Sequence, residues 1–278
     1  MYVLSALVLT VLLFAAARLS GCGSGRTELP DDTLPSASVE PAQRREETAV
    51  DQQLLKNTLQ GLSDGFRGSC SIGYTDLRTG ERILIGDRPM VAASLIKLYV
   101  AEAYYAAVHD GVIADSEREQ LRLMLSESDN AACNAVIELL GMEKINAYIA
   151  QRYPSTQLNR RMLEQNGLEN YTSAADCCAL LERLWNSNFV SAEASAQTLE
   201  ALKAQIRREK IPAVLPDEIV CANKTGELDG VENDAAIVML PDGRAYALCV
   251  MVQTDIGNGN AMEFIRSVSA AVYTIVTQ

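Results

Sequence analysis

The chain has 278 residues, 48% of them apolar and 22% charged, which is enough for one substantial core and argues against extended disorder. Its net charge of -12 would repel a phosphate backbone, so we expect no nucleic-acid partner. Seven cysteines without a C-x-x-C spacing, beside a single histidine, predict buried thiols rather than a disulfide framework or a zinc site. We expect a monomer that holds neither a metal nor a cofactor.

The first residues have the pattern of an export signal. Residues 2–17 carry no charge, a run too short for a membrane span of ~20 residues but typical of the apolar centre of a secretory signal. The following Leu19-Ser20-Gly21-Cys22 resembles the lipobox of bacterial lipoproteins, in which the cysteine is lipidated and becomes the mature N-terminus. The alternative is an uncleaved anchor with an incidental cysteine. Either way, we expect an exported protein held at the outer face of the cell membrane, at the cell surface or in the periplasm.

The chain then divides by composition. We predict a signal peptide over 1–21 and a lipid-anchored linker over 22–47, because the latter is rich in Pro, Ser, Gly and charge. The remaining residues, 48–278, carry the apolar patterns of a folded domain.

The domain opens with a helix and a hairpin. Apolar spacing predicts a helix over Thr48–Gly61, and alternation around "LRTG" predicts strands over Cys70–Asp76 and Glu81–Ile85. A long apolar helix follows from Ser94 to His109, and residues 115–185 have the pattern of helices separated by short loops.

Strand patterns return after a further helix at 192–206. Alternation predicts three strands, over Glu218–Asn223, Ala235–Leu240 and Ala245–Val252, before a final helix at 260–276. Strands at both ends of the domain, around a helical insertion, predict an α/β fold of the α+β type.

In this fold one antiparallel sheet is flanked by the N- and C-terminal helices. We expect the sheet lobe to comprise residues 48–91 and 207–278, and an all-α lobe to comprise residues 92–206. A cleft between the lobes is the expected place for a site.

Three short strings are candidates for that site. They are Ser94-x-x-Lys97 at a helix start, Ser128-Asp129-Asn130 at the start of a helix in the α lobe, and Lys224-Thr225-Gly226 at the end of a strand. Each string alone is compatible with a cap, a first turn or an exposed turn. Together and in this order, they resemble the S-x-x-K, S-D-N and K-T-G motifs of class A serine β-lactamases and penicillin-binding proteins, from about residue 48 to the C-terminus.

The chemistry of these residues is coherent. A serine nucleophile needs a base, and Lys97 lies on the same helix face as Ser94 because positions i and i+3 are neighbours. An amine that is partly desolvated and close to a second cation, here Lys224, can lose its proton and act as that base.

The resemblance implies further roles. The backbone N–H groups of Ser94 and Glu227 would form the oxyanion hole, and Ser128, helped by Lys224, would pass a proton to the leaving nitrogen. Asn130 would hold the substrate amide and Thr225, followed by Gly226, the substrate carboxylate. The arginine that many class A enzymes use for this carboxylate has its counterpart at Asn233, which has no charge.

The deacylation base departs from the family pattern. In "TQLNRRMLEQN", residues 156–166, a Thr-x-Leu-x-Arg frame is followed by Met162, where the resemblance implies a glutamate that activates water. A thioether cannot accept a proton at neutral pH. Glu164 or Glu169 could replace it if the loop is rearranged.

We therefore expect a serine acyl-enzyme hydrolase acting on β-lactams, with slow deacylation. The alternatives are a D-Ala-D-Ala carboxypeptidase or transpeptidase acting on peptidoglycan stem peptides, and a cell-wall sensing module in which the ester persists. A structural lipoprotein with decayed motifs is disfavoured because all three motifs are intact.

Overall fold

The computed structural model describes residues 50–278. Within this range the chain forms eight α-helices and seven strands. In chain order they are α1 (Gln52–Gly65), β1 (Ser69–Asp76), β2 (Arg82–Ile85), β3 (Met90–Val91), α2 (Ile96–His109), α3 (Arg118–Ser126), α4 (Asn130–Leu140), α5 (Met142–Ile149), β4 (Tyr171–Thr172), α6 (Ala174–Trp185), α7 (Ala192–Lys203), β5 (Val220–Leu228), β6 (Val231–Met239), β7 (Ala245–Gln253) and α8 (Asn258–Val276).

Five strands form one sheet in the order β2-β1-β7-β6-β5, and every neighbouring pair is antiparallel. The central position of β7 explains its composition, since it is buried over almost its whole length and has a nearly continuous apolar sequence. β1 pairs with β7 from Ser69 opposite Gln253 to Asp76 opposite Tyr246. The predicted sheet, built from both ends of the domain, is confirmed.

Helices cover both faces of the sheet. On one face α1 and α8 pack against each other and the strands through an apolar cluster that includes Leu55, Leu59 and Ile265. On the other face α6 comes so close to β1 that a Cβ on Gly73 would lie 2.8 Å from Cys178 Sγ and 2.9 Å from the Ala174 carbonyl oxygen. A glycine is therefore required where α6 crosses the sheet.

Several boundaries differ from the predicted ones. Helix α1 begins later, because the Asp51 carboxylate accepts a hydrogen bond from Leu54 N (2.8 Å) and so caps the helix. Strand β5 runs past the third motif to Leu228, so Lys224-Thr225-Gly226 lies inside a buried strand and not at its end. The two-residue strands β3 and β4 were not predicted, because so short a segment shows no periodicity.

The predicted signal peptide, the predicted lipidation at Cys22 and the whole predicted linker, residues 22–47, lie outside the described residues. Among residues 50–278, no helix combines the length and the apolar character needed to cross a membrane. The six cysteines of this range are buried free thiols.

Candidate active site

Ser94 lies in a short 3-10 turn, Ala93–Leu95, that leads directly into α2. It lines a cavity of about 600 Å³ together with Asn130, Met162 and Glu227. The preceding Ala93 has a φ of 46°, a left-handed conformation that costs energy for a residue with a side chain. The turn therefore presents the serine to the cavity at a strained point of the backbone.

Gly226 allows β5 to pass directly beside this turn. A Cβ at Gly226 would lie 2.8 Å from the Ala92 carbonyl oxygen and 3.2 Å from Ser94 N. Any larger residue would push the strand away from the serine. The glycine of the third motif thus lets the strand that carries Glu227 pass close to Ser94, and the backbone N–H groups of these two residues are the expected oxyanion donors.

Lys97 is fully buried and points toward the second motif. Its Nζ donates to Ser128 O (2.6 Å), Asn130 Oδ1 (2.8 Å) and Ser128 Oγ (3.2 Å). An ammonium has three donors, so these contacts satisfy all of them. Lys97 must give up one of them before its nitrogen can accept a proton from Ser94.

Lys224 approaches Ser128 from the sheet. It is also fully buried, and its Nζ donates to Ser128 Oγ (2.9 Å) and Thr225 O (2.8 Å). The Ser128 hydroxyl therefore lies between two buried amines. This geometry suits a group that relays protons.

The start of α4 explains why the Ser128 hydroxyl is available. Asp129 caps the helix by accepting a hydrogen bond from Ala132 N (2.7 Å), so Ser128 does not have to. Ser128 itself has a φ of 61°, a conformation that is uncommon for a non-glycine residue. Ser128, whose string alone was compatible with a helix cap, is therefore not the cap of α4.

Burial lowers the pKa of both lysines. The pKa of Lys97 falls to about 8, mainly because burial disfavours the charged form. The pKa of Lys224 lies well below its ordinary value through burial and then through the neighbouring charge of Lys97. Of the two causes expected from the sequence, desolvation and a second cation, burial is the main one for Lys97.

Met162 occupies the wall of the cavity, where the resemblance implies a glutamate. Its backbone is held by one side chain of α4: Met162 N donates to Asn134 Oδ1 (2.8 Å), and Asn134 Nδ2 donates to Met162 O (3.1 Å). The Met162 side chain is buried. The thioether is therefore fixed beside the site rather than displaced from it.

The two substitute carboxylates differ in their surroundings. Both line the cavity, but Glu164 is exposed and, within residues 50–278, accepts a hydrogen bond only from Arg161 N (3.0 Å). Glu169 is bound to Arg160 through Nε (3.2 Å) and Nη2 (2.8 Å), so its carboxylate is already engaged. Of the two, Glu164 is the freer to turn toward an ester on Ser94.

Asn233 does not face the cavity. It is fully buried and donates through Nδ2 to the carbonyl oxygens of Val91 (2.9 Å) and Ala92 (3.2 Å). In the sheet it lies opposite Gly226. Asn233 therefore supports the turn that carries the serine and binds no substrate carboxylate.

Two cations near Glu227 were not predicted from the sequence. Arg207 Nη1 lies 3.0 Å from Glu227 Oε2, and Lys210 Nζ lies 2.9 Å from Glu227 Oε1. Both belong to "RREK", an irregular basic segment before β5 that matches no motif. The basic residues of this segment are the one sequence signal that could have indicated a candidate anion-binding subsite.

Among the described residues, no group of three or more His, Cys, Asp or Glu side chains could hold a metal ion. The arrangement instead has the parts of covalent acyl transfer: a serine on a strained turn, two buried amines with lowered pKa, and a strand that passes close to the backbone N–H of that serine.

Comparison with known proteins agrees with this chemistry. The model of the β-lactamase enzyme family matches residues 53–122 and 116–276. A β-lactamase of Phocaeicola vulgatus is 28% identical over 186 residues, which cover 60% of this chain and 58% of that protein. The extended-spectrum β-lactamase PER-1 of Pseudomonas aeruginosa is 25% identical over 163 residues, 53% of each chain. The chain thus spans less than two thirds of the length of these curated relatives.

Solved structures share the fold. PBP-A superposes with a TM-score of 0.74 at 24% identity, over 81% of this chain and 96% of that one. A β-lactamase from Sphaerobacter thermophilus gives a TM-score of 0.73 at 22% identity, over 82% and 98% of the two chains. The expected β-lactamase/transpeptidase-like fold is confirmed, and, because the family model matches most of the sequence, the chain belongs to the β-lactamase enzyme family.

Proposed function

We propose that the protein is a serine acyl-enzyme hydrolase that opens β-lactams through an ester on Ser94, with slow release of the acyl group. One observation carries this proposal: the Ser128 hydroxyl is bonded to the buried amines of both Lys97 and Lys224, and Lys97 is also bonded to Asn130, which lines the cavity with Ser94. Buried amines with no carboxylate hydrogen-bonded to them are costly unless they serve a purpose such as acid and base catalysis.

Acylation needs a neutral Lys97. With a pKa of about 8, a minor but useful fraction of the amine is neutral at pH 7. Neutral Lys97 takes the proton of Ser94 Oγ as the oxygen attacks the lactam carbonyl carbon. The developing negative charge on the carbonyl oxygen is stabilised by the N–H groups of Ser94 and Glu227.

Collapse of the tetrahedral intermediate breaks the C–N bond of the lactam. The leaving nitrogen takes the hydroxyl proton of Ser128, which is replaced by a proton from the amines that donate to its oxygen, Lys97 (3.2 Å) and Lys224 (2.9 Å). The product is the Ser94 ester with an opened ring.

Deacylation lacks a fixed base. Hydrolysis of the ester needs a group that accepts a proton from water, and the wall position held by Asn134 carries Met162. Glu164 must leave its bond to Arg161 N to serve, so we expect acylation to be faster than hydrolysis.

The second candidate is a penicillin-binding protein that acts on D-Ala-D-Ala stem peptides or keeps the ester as a signal. Met162 is the observation that favours it, because a site without a deacylating base holds its ester. A mutant of PBP-A, a protein of the same fold, forms an acyl-enzyme complex with penicillin G.

The test is intact-protein mass spectrometry of the full-length protein mixed with penicillin G and followed over time. We expect addition of one penicillin to be faster than its loss, with no addition to Ser94→Ala. No adduct, or an adduct that also forms on Ser94→Ala, would refute the proposal. A persistent adduct together with release of D-alanine from a stem peptide would favour the second candidate.

The pH profile of acylation tests the role of Lys97. The neutral amine is the active form and burial lowers its pKa to about 8. The acylation rate constant should therefore rise about tenfold per pH unit below pH 8 and level off above it. Single-turnover acylation of the wild-type protein between pH 6 and 10 measures this. A rate that is flat below pH 8, or that still climbs toward the ordinary lysine pKa of 10.5, would contradict it.

A further inference from the structure

A group of four charged side chains lies behind one wall of the Ser94 cavity and reaches the cavity through Glu227; its members are Arg207, Lys210, Glu227 and Glu232. Lys210 is almost fully buried, and its Nζ lies 2.9 Å from Glu227 Oε1 and 2.6 Å from Glu232 Oε2. Arg207, which is about half exposed, lies 3.0 Å from Glu227 Oε2. Two positive and two negative charges therefore balance, and both oxygens of Glu227 are engaged by a cation.

Glu227 is the member of this group that faces the cavity. It lines the cavity together with Ser94 and Asn130, whereas Glu232 is buried on the neighbouring strand. Burial alone would raise the pKa of Glu227, but the charge and hydrogen bond of Lys210 and the charge of Arg207 outweigh it and hold the pKa below its ordinary value. The carboxylate is thus ionised at neutral pH.

The position of the Glu227 carboxylate matters because the expected substrates carry a negative charge of their own. Penicillins and D-alanyl peptides both have a carboxylate beside the scissile amide, on the side of the leaving nitrogen. Thr225, the residue expected to receive it, lies two positions before Glu227 on β5. A substrate carboxylate there would meet the negative charge of Glu227, and the cations that could attract it are already paired.

We propose that Glu227 is a specificity-determining residue whose carboxylate occupies the cationic subsite of Arg207 and Lys210 and disfavours anionic acyl donors. The preferred substrates would be strained or activated amides whose leaving side is neutral or cationic. This inference rests on the proposed function, because it concerns the rate at which Ser94 is acylated.

The test compares penicillin G with its methyl ester, which differs by one negative charge. We expect the wild-type protein to be acylated faster by the ester. Glu227→Gln, which keeps the backbone N–H and the side-chain size, should raise the second-order rate constant for penicillin G about tenfold and that for the ester less than about twofold. The readout is the time course of the Ser94 adduct by mass spectrometry.

Two further variants make the comparison specific. Asp229→Asn removes the same charge from the exposed turn between β5 and β6, outside the cavity wall, and should leave the ratio of the two rate constants unchanged. The double variant Glu227→Gln/Arg207→Gln should lose most of the increase in the penicillin G rate constant that Glu227→Gln alone produces. The reason is that Glu227→Gln frees the Arg207 cation, and Arg207→Gln then removes it.

The outcomes separate the two proposals. If Ser94 is acylated but Glu227→Gln leaves the ratio of the rate constants unchanged, or lowers the rate for penicillin G, the role of Glu227 is refuted and the hydrolase proposal stands. The same holds if Asp229→Asn changes the ratio as much as Glu227→Gln does. If neither compound acylates Ser94 in any variant, the proposed function fails and this inference fails with it.

Discussion

Lys97→Ala should lower the rate of Ser94 acylation by about 10²- to 10⁴-fold, the usual contribution of a positioned general base. Lys97 is the amine expected to take the serine proton, and burial lowers its pKa to about 8, close to the working pH. We expect no replacement by Lys224, because Lys97 lies one helical turn from Ser94, whereas Lys224 reaches Ser128 from the sheet side. Rapid-mixing mass spectrometry with penicillin G measures the rate.

The control must separate lost chemistry from lost folding. Lys97→Ala leaves Ser128 O and Asn130 Oδ1 without their buried donor, so the melting temperature should be recorded for each variant. Lys144→Ala, at an exposed position of α5, should change neither the rate nor the melting temperature measurably. A well-folded Lys97→Ala protein that is acylated at nearly the wild-type rate would show that another group is the base.

The fold could be predicted because its signals are local. Alternation around "LRTG" and "PDG" predicted the strands that became β1, β2, β6 and β7, and long apolar periodicity predicted α2 and α8. The order of strands at both ends of the domain then predicted the sheet. Strands β3 and β4 could not be predicted because a segment of two residues shows no apolar periodicity. These two strands pair with each other only because the tertiary fold brings them together.

The residues of the site could be predicted from the sequence, but the hydrogen bonds between them could not. The i, i+3 spacing predicts that Lys97 is near Ser94, but its hydrogen bonds go to Ser128 and Asn130, 31 and 33 residues further along the chain. No local pattern specifies such contacts. These hydrogen bonds form because the N-terminus of α4 lies beside α2 in the fold. They also require that Asp129 caps α4, which leaves the Ser128 hydroxyl free.

The cations around Glu227 could not be predicted for a similar reason. The resemblance assigns Asn233, which has no charge, to the place of the family's arginine, and the register of β5 with β6 sets this residue opposite Gly226, where its amide donates to backbone carbonyl groups. The cations come instead from an irregular segment before β5, and Arg207 and Lys210 reach Glu227 across the fold. Strand register and loop path are tertiary properties that one sequence does not reveal.

Met162→Glu should convert slow turnover into fast turnover, raising the deacylation rate about 10²- to 10⁴-fold. The backbone at this position is already fixed by two hydrogen bonds to Asn134, and the side chain already lines the cavity beside Ser94. Glutamate is close to methionine in length and volume, so the change replaces a thioether by a carboxylate without repacking the wall. The measurement is the decay of the Ser94 adduct after excess penicillin G is removed.

Met162→Gln is the matched control, because an amide of the same shape can bind water but cannot take its proton. It should deacylate as slowly as the wild-type protein, and all three proteins should acylate at similar rates. If the wild type already turns over rapidly, the inference from Met162 is wrong. In that case Glu164→Gln should abolish turnover. Glu164 lines the cavity, and its carboxylate accepts one hydrogen bond, from the Arg161 backbone, which it can give up. Glu169 is the less suitable base because Arg160 holds its carboxylate.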